Sequence, residues 1–246
     1  MKRCLTALMA WSLLTSTAMF AARSFNGTNQ SMGTTSSVAI SGVSVITLSF
    51  WLNVASFGTG VYIESSSNPN SNTGAFGLSY GTTGSCTNYF YFYARNAGGY
   101  QVAGFAPPST GVWHHYTLVI NDTASSSAAY VDGAPQSVTV CMNTGTPSTF
   151  LNFPLFFMAR NNASGYNAGS LADVAIWNVA LTANEAKSLA NCLPPPVTHG
   201  GSNLKGYWPL WGVDSPEADY SGNALPASVT GATTGNHVCG EFSGDR

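Results

Sequence analysis

Charge is what this chain has least of. Eight Lys and Arg against ten Asp and Glu make up only 7% of its 246 residues, with a formal net charge of -2, whereas a typical globular protein is about a quarter charged. The basic residues are spread singly, so no positive stripe exists to neutralise a phosphate backbone, and nucleic acid is not an expected partner. Glu is scarcer still: Glu64, Glu185, Glu217 and Glu241 are the whole complement. None is flanked on a strand by a second acid, so the alternating carboxylates that a glycoside hydrolase needs are missing. A Gly-x-Ser-x-Gly nucleophile elbow is absent, and no Cys-x-x-Cys or His-rich spacing supports zinc. Catalysis has no visible nucleophile, and the chain is expected not to be an enzyme.

Long apolar runs are also lacking. The stretch 5–14 is too short to span a bilayer. It follows Lys2-Arg3 and precedes Ser16-Thr17-Ala18, the charge, core and small-residue layout of a secretory signal, so residues 1–18 read as a signal peptide and 19–246 as one domain. The alternative is a start at Met19; both give nearly the same mature chain and differ over compartment. Past Cys4, four cysteines remain: Cys86, Cys141, Cys192 and Cys239. An even set fits an oxidising compartment. Of three pairings, Cys86 with Cys141 and Cys192 with Cys239 is favoured, the first two flanking central strands and the second two bracketing a C-terminal extension. Four free thiols are the alternative.

What is present is a rhythm of two. Ile46, Leu48, Phe50, Leu52 and Val54 alternate with Thr47, Ser49, Trp51 and Asn53, the pattern of a strand with two different faces. Further strands are expected at 23–32, 60–64, 76–80, 89–95, 100–105, 112–120, 128–131, 136–140, 155–159, 169–177 and 206–210, with turn residues between them, as in a sandwich rather than βαβ units. One helix is expected: Thr182-x-x-Glu185 reads as a capping box ahead of Ala186 to Ala190, ending before Pro194-Pro195-Pro196. Asp132-Gly133 reads as a tight reversal, since both residues tolerate φ > 0.

Three segments occur in order: Gly111-Val112-Trp113-His114-His115, then Tyr130-Val131-Asp132-Gly133, then Asp173-Val174-Ala175-Ile176-Trp177-Asn178. Behind them come Ala180-Leu181-Thr182 with Glu185, Gly206-Tyr207-Trp208-Pro209-Leu210, and Asp219-Tyr220-Ser221-Gly222-Asn223. Together these resemble the laminin-G-like, concanavalin A-like jelly-roll family over about 23–235. The resemblance implies an all-β, antiparallel two-sheet jelly roll with one short helix. It also implies a binding role, and leaves the ligand unnamed.

Candidate ligand residues follow from the aromatics. Tyr89, Tyr91 and Tyr93 alternate with Phe90, Phe92 and Ala94, placing a tyrosine ladder on one face that can stack on sugar rings. Trp51, on the polar side of its strand, is a second platform. Either set has a packing role as its alternative. His114 and His115 are adjacent on a strand, so they point to opposite faces and cannot share one ion; one is expected inside and the other outside. Many laminin-G-like domains bind Ca²⁺ at a loop edge, and Asp122, Asn161 and Asn162 are the oxygen donors that fit that expectation. Asp132 is assigned to its turn and Asp173 to strand register. Asn-x-Ser/Thr sequons at Asn26, Asn29, Asn121 and Asn162 are expected by chance in so Asn-rich a chain.

The leading expectation is a secreted or surface-displayed, non-catalytic module that binds carbohydrate or a protein surface. The alternatives are a structural or adhesion component of a virus or phage particle or fibre, and a divergent glycoside hydrolase built from distant carboxylates.

Overall fold

A computed structural model describes residues 21–67, 73–211 and 214–239; the expected signal peptide, Cys4, Met19 and Glu241 lie outside them. The strands are β1 (Ala21–Asn26), β2 (Ser31–Thr34), β3 (Val45–Asn53), β4 (Val61–Ser65), β5 (Phe76–Thr83), β6 (Cys86–Asn96), β7 (Gly99–Phe105), β8 (Trp113–Asn121), β9 (Ala128–Val131), β10 (Ala134–Pro135), β11 (Thr139–Asn143), β12 (Leu155–Phe157), β13 (Ala168–Trp177), β14 (Leu204–Trp208), β15 (Ala227–Thr230) and β16 (Thr233–Asn236). They form two antiparallel sheets. The first runs β10-β9-β8-β3-β13-β1-β16, with β14 also on β13; the second runs β11-β7-β6-β5-β4-β12-β2-β15. The two-sheet sandwich expected from the strand pattern, and the jelly roll that the family resemblance implies, are the architecture observed.

The inner faces meet in one aromatic core. Ile46, Leu48, Phe50 and Leu52 of β3 point into it, as do Phe90 and Phe92 of β6 and Tyr116, Leu118 and Ile120 of β8. Phe90 is its hub, with Tyr62, Phe105 and Tyr116 packed edge-on at 5.2, 5.8 and 5.2 Å between centroids. Edge-on contact sets the positive rim of one ring against the negative face of the next.

The polar face of β3 is buried as well, because the C-terminal part of the chain covers it. Thr47 shows how: its hydroxyl donates to the Val179 carbonyl at 2.7 Å and accepts from the Leu181 amide at 3.0 Å. The cover includes α1 (Ala183–Ala190), capped as expected, with Glu185 N donating to Thr182 Oγ1 and Thr182 N to Glu185 Oε2. It continues into α2 (Pro195–His199). The Pro triplet had marked a stop, yet Pro suits a first helical turn, where no N–H partner is needed. Among the described residues, no helix is long and apolar enough to cross a membrane.

Two strand expectations are corrected, and two strands were missed. The run 23–32 is two strands in different sheets, broken at Gly27 with φ of 73°. The strand expected at 136–140 begins later, at Thr139, after the short β10 edge. The successive strands β15 and β16 were not foreseen; they pair with β2 and β1, one in each sheet. Both disulfides join the favoured partners, Cys86 to Cys141 and Cys192 to Cys239.

Candidate functional site

A bulge in β13 builds the site. β1 pairs with Ala168 to Leu171 on one side of it and β14 with Val174 to Trp177, so the two share one edge of β13 on either side of Asp173. The register against β3 also shifts between Ala172 and Ala175. Asp173 takes φ of 48°, which Asp tolerates better than most residues. The sequence reading gave Asp173 to strand register; the bulge instead turns its carboxylate out of the ladder and into a cavity on the outer face of the first sheet.

That cavity has a volume of about 190 Å³ and is lined by Ser49, Trp51, His115, Asp173, Tyr207 and Trp211, with Leu189, Leu193, Pro194, Pro195 and the Cys192–Cys239 bridge. Trp51, 8% exposed, meets the rings of His115 and His237 edge-on at 5.2 and 5.3 Å. Trp211 is 47% exposed, tilted against Tyr220 at 4.9 Å. Tyr207 OH donates to Asp173 Oδ1 at 3.0 Å, and His237 Nδ1 lies 3.5 Å from Asp173 Oδ2. Burial pushes Asp173 up to about 6 and His237 down to about 4. Near neutral pH this contact is therefore a carboxylate beside a neutral imidazole and not an ion pair.

The adjacent histidines part as expected. His115 is 2% exposed, and burial holds its pKa down at about 3. Its Nε2 meets Ser49 Oγ at 2.9 Å. His114 lies on the other face, its Nδ1 2.7 Å from Asp132 Oδ2. Asp132 does serve its turn: with Gly133 it takes positive φ, at 51° and 75°, and its Oδ1 accepts from His115 N at 2.9 Å.

The tyrosine ladder lies on the other layer, away from Trp51. Tyr89 and Tyr91 are half-buried beside the Cys86–Cys141 bridge, but Tyr93 is packed down at 5% exposure. Its hydroxyl donates to Glu64 Oε1 at 3.2 Å, and Arg95 rests on the Tyr93 and Tyr100 rings at 5.6 and 5.1 Å. The ladder is thus two accessible rings and one structural ring.

Asp122, Asn161 and Asn162 do not form one coordination set. Asp122 follows Asn121, which pairs with Val45 at the start of β3. Asn161 and Asn162 lie in the turn ahead of β13, whose Ser170 pairs with Asn53 at the other end of β3. Nine residues of strand separate the two ends, roughly 26 Å at the usual rise.

The described glutamates are each engaged. Glu64 faces Arg160 at 3.5 Å and Tyr93, Glu185 holds its cap and His199, and Glu217 pairs with buried Arg23 at 2.6 Å. Trp211, Tyr207 and His237 were not singled out from sequence. Trp211 stands one residue past the recognised Gly206–Leu210 segment, and that adjacency was the available signal.

The two-sheet antiparallel sandwich, with an aromatic-lined cavity on one face, is a jelly-roll β-protein. A family profile matches residues 26–187, and the chain belongs to that family, the laminin G-type branch of the concanavalin A-like lectin/glucanases superfamily. Among solved structures, a candidate carbohydrate binding protein from Bacteroides ovatus is similar at TM-score 0.64 and 18% identity, over 89% of this chain and 60% of that one. The heptameric SAP-like pentraxin of Limulus polyphemus is similar at TM-score 0.55 and 14% identity, over 86% and 95%. The chain thus spans about three-fifths of the Bacteroides protein. No curated protein matches it in sequence.

Proposed function

We propose that this chain is a non-catalytic carbohydrate-binding module that takes a single sugar ring into the cavity beside Trp51. The observation that carries the reading is the joint presence of the half-exposed Trp211 ring and the Asp173 carboxylate at one cavity. An aromatic face stacks on the C–H side of a sugar while a carboxylate accepts from its hydroxyls. Size scales the ligand: a cavity of about 150 Å³ holds one benzene-sized ring, so the 190 Å³ here is on the scale of a single ring. The two disulfides are compatible with an extracellular or surface location, in line with a secreted or displayed module.

The test is a glycan array probed with the mature chain, with and without Ca²⁺, followed by titration of the best hit against Trp211→Ala and Tyr91→Ala. The cavity reading expects Trp211→Ala to weaken binding at least tenfold, with thermal stability unchanged, and Tyr91→Ala to bind normally. The reverse result would move the site to the tyrosine face. Failure of every glycan to bind would end the carbohydrate reading.

A further inference from the structure

The C-terminal tail lies over Trp51 through two contacts of different chemistry. Cys239 is bonded to Cys192, and two residues before it the His237 imidazole is wedged between Trp51 and Trp113, at 5.3 and 5.0 Å between ring centroids. The His237 side chain is 2% exposed, and its Nε2 is buried with no hydrogen-bond partner among the described residues. A buried imidazole nitrogen left unpaired is costly. One donor atom each from Asp173, His237 and Cys239 lie within 4.8 Å of one another, and Cys192 Sγ is bonded to the last of these.

While the disulfide is intact, neither sulfur is a thiolate, so the cluster offers a metal only two good donors. Reduction changes the donor count. We propose that, once the Cys192–Cys239 bond is reduced, Cys192, Cys239, His237 and Asp173 form a four-donor zinc site that fastens the tail in place of the disulfide. Two thiolates, an imidazole and a carboxylate are zinc's usual partners. At bond lengths of about 2.0–2.3 Å their tetrahedral corners lie roughly 3.3–3.8 Å apart, so Asp173, His237 and Cys239 must close by about an ångström while the two sulfurs, freed from their bond, move apart to that spacing.

The chemistry balances with a phosphine as reductant. The phosphine gives two electrons to the S–S bond and takes the oxygen of one water, whose two protons go to the sulfurs, yielding two thiols and the phosphine oxide. Each thiol then releases its proton as Zn²⁺ binds. The site goes beyond sugar binding and does not depend on it. It also bears on the two compartments that the N-terminus leaves open: an oxidising one closes the tail with a disulfide, a reducing one with a metal.

The experiment is zinc titration of the full chain before and after phosphine reduction, read by native mass spectrometry and by thermal unfolding. The expected result is one Zn²⁺ per reduced chain with a raised midpoint, and no stoichiometric zinc on the oxidised chain. His237→Ala in the reduced protein should weaken zinc binding tenfold or more, since even outer-shell changes cost about 10–100-fold. Cys192→Ala/Cys239→Ala should abolish it. Unchanged zinc affinity in His237→Ala, uptake that survives Cys192→Ala/Cys239→Ala, or a reduced chain that takes no zinc would overturn the proposal. Should reduction alone unfold the chain, restoration of the fold by zinc supports the site and failure to restore it counts against it.

Discussion

At the scale of single residues, His114 and His115 share a backbone and almost nothing else. His115 sits under the C-terminal cover with its pKa held at about 3 by burial, so in the folded chain it stays neutral where an unfolded one takes up a proton near 6.5. The unfolded state binds more protons between these two values, and stability falls as pH drops through that window. Acidifying from pH 7 to 4 should therefore cost a few kcal/mol through His115 alone, at about 1.4 kcal/mol per pKa unit. His115→Gln keeps a partner for Ser49 and loses the titration, so its melting temperature should fall less over the same range; equal slopes would refute the assignment. Alternation was enough to place Trp51 on the polar face of its strand and to set His114 and His115 on opposite faces from sequence, without saying which is which. It was not enough for Asp173, because a bulge inserts one residue into the count and no neighbour in sequence announces it.

At the scale of elements, local chemistry was readable and long-range pairing was not. The Thr182 cap and the Asp132-Gly133 turn each depend on residues a few positions apart. Thr182→Ala should cost about 1 kcal/mol, measured by urea denaturation. Gly133→Ala should cost more, about 1–2 kcal/mol, because Gly133 has φ of 75° and an added Cβ would lie 2.9 Å from Lys187 Cα. That contact joins the β9–β10 turn to α1, so the loss should appear as earlier hydrogen exchange in the helix. The run 23–32 failed as one strand because residues on both sides of Gly27 are equally strand-like; which sheet each half joins is decided by β13, β16, β12 and β15, from far along the chain. His237 was invisible for the same reason: its surroundings are Trp51, Trp113 and Asp173, none near it in sequence.

At the scale of the whole molecule, two cross-links hold opposite outer faces. The Cys86–Cys141 bridge lies with Tyr91 and Val102 on the second sheet, and the Cys192–Cys239 bridge lines the cavity over the first. Their pairing was readable from where the cysteines fall among the strands. Replacing either pair by Ala should lower stability by about 2–4 kcal/mol, since the closed loops span 55 and 47 residues. The Cys192→Ala/Cys239→Ala protein should also show faster proteolysis after residue 230, with the sandwich intact.

The β15–β16 segment carries a practical warning for anyone dissecting the gene. The recognised family segment stops at residue 187 and opens at Asn26, yet the last rung of each layer is donated by amino acids beyond 226. A fragment cut to those limits would be born with two raw borders, ready to zip onto its neighbours as aggregate. The smallest piece worth expressing starts ahead of Ala21 and runs past Cys239.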